Sequence, residues 1–223
     1  MRLKLCILLC LTALTATAQK RSVSILGDSY STYERYTTPV TNEQWYVEPW
    51  CDDRTDVADV TQTWWYQLCK NRGFKLDTNN SYSGATICYT GYNGEDFTAR
   101  SFITRAGNLG CPDIILMLGS TNDSWANSPL GEMKWEGYEK ADLYNYRPAI
   151  CYLAKFLTTR YPNTDIYFIL NNELKPEIGD AMREVCRHYG LTLIELKDIS
   201  KKNGHPDIQG MKQIAEQVGA VVK

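Results

Sequence analysis

A serine hydroxyl becomes a nucleophile when a neighbouring base removes its proton, and an imidazole is suited to that near neutrality. The 223-residue chain contains two histidines. His188 lies in Arg187-His188-Tyr189-Gly190 at the end of a helical pattern, where a cationic ring complements the helix dipole. His205 lies in the loop Gly204-His205-Pro206-Asp207 and is the candidate base. The candidate nucleophile is Ser29, in Ile25-Leu26-Gly27-Asp28-Ser29-Tyr30-Ser31, where a β-prone run stops abruptly at Gly-Asp-Ser. That tripeptide is also common turn chemistry, so its meaning depends on what else reaches it. Acyl transfer further needs donors for a developing oxyanion. The main-chain amides of Ser29 and Gly84 and the side-chain amide of Asn122 are the available set. Asn122 can equally cap a turn, and Gly84 can equally serve a left-handed backbone.

The elements that must position these residues alternate in type. Strands are predicted over 22–26, 75–81, 113–118, 165–170 and 191–196, and helices over 63–71, 97–106, 144–161, 177–189 and 208–218. The run 113–118 is continuously apolar between Pro112 and Gly119, as a buried central strand of a parallel sheet should be. Strands separated by helices imply right-handed crossovers and a parallel sheet covered on both faces. Ser29, Gly84, Asn122 and His205 then follow strands one, two, three and five, and all four open onto the carboxyl edge, where open α/β sheets bind ligands. One domain over 19–223 is expected, with no internal repeat and no linker.

Between the first strand and first helix, residues 32–59 show no hydrophobic period but hold Tyr33, Tyr36, Trp45, Tyr46 and Trp50. So long a segment reads as a functional lid. Trp45, Tyr46 and Trp50 are candidates for substrate binding, since aromatic faces suit sugar rings; the alternative is an aromatic satellite core beneath the loop.

Residues 1–18 read as a secretory leader: Arg2 and Lys4, an apolar run over 5–14, then Ala16-Thr17-Ala18. The run is too short for a stable membrane span. Losing Arg2 and Lys4 takes the formal charge from −2 to −4, so neither a basic excess nor a basic run invites nucleic acid. An exported protein, periplasmic or secreted, can oxidise its cysteines. Cys51, Cys69, Cys88, Cys111, Cys151 and Cys186 remain, none at zinc-finger or thioredoxin spacing, and small buried hydrophobes are as good a reading as disulfides. No metal or other cofactor is expected.

Gly27-Asp28-Ser29, Gly84, Gly119-Ser120-Thr121-Asn122-Asp123 and His205-Pro206 resemble, in order, the blocks of the SGNH (GDSL) hydrolase family. The resemblance implies a three-layer α/β/α sandwich with a five-stranded parallel sheet in the flavodoxin-like order 2-1-3-4-5. It also implies a serine esterase with Ser29 as nucleophile, His205 as base, and Ser29, Gly84 and Asn122 as oxyanion donors. The sequence lacks the second glycine of the G-x-S-x-G elbow of α/β-hydrolases. One position departs: the family usually carries an aspartate three residues before the histidine, and here that residue is Lys202. Another carboxylate substitutes, or a Ser-His dyad operates, or activity is lost. Asp198 and Asp207 are the near carboxylates, with Asp207 better placed as a helix N-cap. A main-chain carbonyl near Lys202 or Asn203 is the expected partner of the ring Nδ1. Two functional readings follow: an exported esterase removing a small acyl group, such as acetyl, from a small-molecule or glycan ester, and an inactive glycan-binding or interaction protein on the same fold.

Overall fold

A computed structural model describes residues 19–47 and 54–223; the leader, Trp50 and Cys51 lie outside the described residues. The elements run β1 (Ser22–Gly27), α1 (Trp64–Arg72), β2 (Lys75–Ser81), α2 (Phe102–Arg105), β3 (Ile114–Gly119), α3 (Thr121–Trp125), α4 (Tyr146–Arg160), β4 (Asp165–Leu170), α5 (Pro176–Tyr189), β5 (Thr192–Glu195), β6 (Lys201–Lys202), β7 (His205–Pro206) and α6 (Ile208–Val221). β1 to β5 form a parallel sheet in the order β2-β1-β3-β4-β5, as the resemblance implies.

Side chains alternate across a strand, and this alternation builds two cores. Val23, Ile25, Ile114, Leu116 and Leu118 pack on one face with Trp64, Trp65 and Leu68 of α1 and Met211, Ile214 and Val218 of α6. Leu26, Ile115, Met117, Ile166 and Phe168 pack on the other face with α2, α4 and α5. β3 is buried along its whole length, as its unbroken apolar sequence requires. Register aligns the carboxyl ends: Gly27 lies opposite Ser81 and Leu118, and Gly119 opposite Leu170. Gly27 has no room for a side chain, since a Cβ there would sit within 2.7 Å of Ser81 Oγ and of the Ser31 side chain. Among the described residues no helix is long and apolar enough to cross a membrane.

Two predicted helices are shorter than expected. Of 97–106, only Phe102–Arg105 is α-helical, because Ser101 takes extended dihedrals and caps the helix through Thr104 N–H at 3.3 Å. Upstream, Asp96 Oδ1 draws Thr98 N–H into a local turn at 2.8 Å. α4 begins at Tyr146 because Asn145 is extended and residues Asp142–Tyr144 form a separate 3-10 turn. Two small elements were not expected: α3, directly after β3, and the β6–β7 hairpin. Cys69, Cys88, Cys111, Cys151 and Cys186 are free thiols, with Cys88, Cys151 and Cys186 buried as small core residues.

Candidate active site

β1 delivers its chain to a single 3-10 turn, Ser29–Ser31, capped by Asp28, whose Oδ1 accepts from Tyr30 N–H at 3.0 Å. The turn is fixed from below. Asn79 Nδ2 and Trp65 Nε1 donate to the Ser31 carbonyl at 2.9 and 3.0 Å, and Trp64 Nε1 donates to Ser31 Oγ at 3.2 Å. The buried guanidinium of Arg105 donates to the carbonyls of Asn80 and, at 3.1 Å, Gly27, satisfying the strand ends on which the turn rests. Ser29 is 2% exposed.

His205 arrives on the β6–β7 hairpin, in which Lys202 pairs with His205. The two connecting residues, Asn203 and Gly204, have φ of 51° and 76°, the pattern of a type I′ turn, for which Asn-Gly is the preferred pair. His205 Nε2 lies 3.0 Å from Ser29 Oγ. Its Nδ1 lies 3.1 Å from the main-chain oxygen of Asn203. A carbonyl only accepts, so this contact places the ring proton on Nδ1 and leaves the Nε2 lone pair facing the serine hydroxyl. Tyr30 OH donates to the Gly204 carbonyl at 2.6 Å, and Tyr46 OH to the Pro206 carbonyl at 2.7 Å. Asn203 Nδ2 donates to the Arg54 carbonyl at 3.1 Å, and Asp56 Oδ1 accepts from Ile208 N–H at 3.0 Å. The hairpin is therefore held from the nucleophile turn and from the long loop together.

Ser120, with φ of 74°, turns the chain out of β3 into α3 and brings Asn122 to the same edge. Asn122 Nδ2 donates to the Ala85 carbonyl at 2.9 Å, and its Oδ1 accepts from Tyr92 OH at 2.7 Å. These bonds orient the amide and couple it to the turn carrying Gly84, which is closed by Ala85 N–H on the Tyr82 carbonyl at 3.2 Å. Asp123 accepts from the main-chain N–H of Ile87 and Cys88 at 2.8 and 3.3 Å, tying α3 to that segment a second time.

Burial dominates the electrostatics. It pushes His205 down to about 4, against the Asn203 carbonyl and with Arg54 and Lys201 adding repulsion. It pushes Asp28 up to about 7, opposed by Tyr30 N–H, Thr121 and Arg105, and Asp123 up to about 6. Among the described residues, two carboxylates near the hairpin have other partners. Asp207 caps α6 through Gly210 N–H at 2.8 Å and accepts from Ser200 Oγ at 2.6 Å, while Glu173 pairs with Lys201 at 2.8 Å. Among the described residues no group of three or more His, Cys, Asp or Glu converges to hold a metal.

Ser29, Gly84, Asn122 and His205 therefore meet at one edge. The aromatic candidates divide. Tyr46 is a correction: it is fully buried with its hydroxyl on Pro206, so it offers no face to a ligand. Trp45 stacks on the His205 ring, with centroids 3.5 Å apart and planes 8° from parallel. Sequence reasoning missed Tyr92 and Trp125. Trp125 on α3 is 41% exposed and meets the His205 ring edge-on at 5.7 Å. It also missed the hairpin, although Asn203-Gly204 between two short runs was a readable signal.

A family model described as GDSL-like Lipase/Acylhydrolase matches residues 21–222. The chain is 54% identical to a candidate GDSL-like lipase from Bacteroides ovatus, with 91% of this chain and 97% of that one covered and a TM-score of 0.89. For a second such protein, from Bacteroides uniformis, the values are 51%, 92%, 96% and 0.90. An acetyl xylan esterase from Butyrivibrio proteoclasticus shares the fold at 14% identity and a TM-score of 0.54, over 90% of this chain and 62% of that one. No curated protein matches the chain. With four separated sequence blocks brought to one edge of a sheet in the order 2-1-3-4-5, and a family match spanning nearly every described residue, the chain belongs to the GDSL-like lipase/acylhydrolase family and is an esterase.

Proposed function

We propose that Ser29 and His205 form the catalytic dyad of an exported esterase that releases a small acyl group from a glycan ester. The observation that carries this reading is the 3.0 Å approach of Ser29 Oγ to His205 Nε2 in a ring whose Nδ1 is already committed to a carbonyl. In acylation the serine proton passes to Nε2 as Oγ bonds to the ester carbon, and the carbonyl electron pair moves onto its oxygen. The amides of Ser29, Gly84 and Asn122 receive that charge. As the tetrahedral species collapses, the C–O bond to the alcohol breaks and the imidazolium returns its proton to the departing oxygen. Water then repeats the sequence on the acyl-serine, with His205 again taking and returning one proton.

The departing alcohol must lie on the His205 side, since His205 protonates it. Among the described residues Trp125 is an exposed ring at that side, and an aromatic face suits a sugar. An acetyl group on a carbohydrate also agrees with the shared fold of the acetyl xylan esterase. Export rests on the leader read in residues 1–18, with one domain following from Gln19. The test is acetate release from acetylated xylan and hydrolysis of a short-chain aryl ester, by the native protein and Ser29→Ala. Turnover by the native protein alone is expected. Turnover retained in Ser29→Ala moves the nucleophile elsewhere, hydrolysis of the aryl ester alone removes the glycan, and no hydrolysis of either leaves a binding protein.

A further inference from the structure

An imidazolium formed during acylation usually rests on a carboxylate, and among the described residues none touches this ring. Its Nδ1 meets the neutral carbonyl of Asn203. Among the described residues the charged groups that bear on it are Arg54, which also stands over the Trp45 ring 5.3 Å from its centroid, and Lys201, which pairs with Glu173. Asp56 and Asp207 are occupied with α6, through Ile208 N–H and Gly210 N–H. What covers the ring instead is indole. Trp45 lies face to face with His205 at 3.5 Å, closer than Tyr30 at 5.4 Å or Trp125 at 5.7 Å.

The stack is built in rather than incidental. Trp45 N–H donates to Thr32 Oγ1 at 2.9 Å, and the same hydroxyl donates to the Ser29 carbonyl at 2.9 Å. The ring on the base is thus indexed to the nucleophile's own turn. Glu34 N–H donates to the Tyr46 carbonyl at 2.9 Å, and Tyr46 OH holds Pro206, fastening the next residue as well.

We propose that Trp45 is a positioning residue whose π face supplies the negative potential a triad acid would otherwise give, stabilising the imidazolium as it forms. The quadrupole of an indole attracts a cation over its face. The reading deepens the Ser29–His205 assignment and rests on it. Trp45 also shields the ring from water, which acts in the opposite direction on protonation, so a simple truncation mixes the two effects. Fluorination separates them: it drains the π face while leaving size and shelter almost unchanged.

The experiment replaces Trp45 alone with mono-, di- and trifluorotryptophan in the full chain. It measures kcat and KM for a short-chain aryl ester and follows the histidine titrations by NMR. The expected result is a kcat that falls stepwise, by about 3- to 30-fold across the series, with KM unchanged and the His205 titration moving to lower pH. A native protein without serine-dependent turnover, judged against Ser29→Ala, brings down the dyad and this proposal with it. Serine-dependent turnover with kcat and the His205 titration both flat across the series overturns the role of Trp45 alone.

Discussion

The main-chain oxygen of Asn203 stands 3.1 Å from Nδ1 of His205, two residues further along the same hairpin. A carboxylate placed there would orient the ring and stabilise its charge; a carbonyl orients it equally well and stabilises the charge less. The Asn203-Gly204 turn makes the arrangement local, because a type I′ hairpin returns the chain within two residues.

From that relationship, Asp198→Asn and Asp207→Asn should each lower kcat by less than about tenfold. Asp207→Ala should additionally cost about 1 kcal/mol of stability by removing the cap of α6. Steady-state kinetics and urea denaturation check this. A loss near 10⁴-fold at either aspartate in a folded protein, the size associated with neutralising a triad acid, would identify a hidden acid.

Acid should inactivate late. His205 is held down to about 4 by burial, with Arg54 and Lys201 contributing. A protonated ring cannot take the serine proton, so kcat/KM should hold level from neutrality downward and fall tenfold per pH unit below about 4. Acetate release at constant ionic strength measures it. A fall centred near 6.5 would mean that water reaches the ring.

Asp28 should make stability depend on pH in the opposite sense. Its folded pKa of about 7 lies above the ordinary aspartate value of 3.8, so the unfolded chain releases the proton first and rising pH favours unfolding. The stability of the native protein relative to Asp28→Asn should therefore decline from about pH 4 to about pH 7, by roughly 1.4 kcal/mol per unit, and level off above. Denaturation curves of the pair across that range decide it; a constant difference means Asp28 titrates as in the unfolded chain.

Asn122→Ala should lower kcat by about 10²–10³-fold with little change in KM, as expected for an oxyanion donor. Tyr92→Phe removes the hydrogen bond that orients the Asn122 amide, worth about 1 kcal/mol, and should cost roughly fivefold in kcat. An unchanged kcat in Asn122→Ala would reduce the residue to a link between α3 and Ala85.

The aromatic residues should separate by substrate. Trp125→Ala should raise KM for an acetylated sugar more than for an aryl ester, because the ring is exposed beside the base. Tyr46→Phe should lower kcat on both substrates alike, since it only loosens Pro206. The reverse pattern would restore Tyr46 to the ligand and remove Trp125 from it.

Strand and helix order were legible in the sequence because period and burial are local signals. The apolar runs 22–26, 113–118 and 165–170 alternate with helical patterns, and parallel pairing then sends Ser29, Gly84, Asn122 and His205 to a common edge whatever the loops do. The division of labour among aromatic side chains was not legible. Trp45 and Tyr46 are neighbours in a loop without repeating dihedrals, so no periodicity tells which ring is buried and which lies on His205. That direction comes from contacts with Thr32, Ser29 and Pro206, the last of them distant in the chain. The partner of His205 was legible as a main-chain carbonyl near Lys202 or Asn203, but not as to which of the two. The residue type at Lys202 announces a missing carboxylate, but a main-chain carbonyl is the same in every residue. Only the curl of the hairpin decides that the one from Asn203 reaches Nδ1.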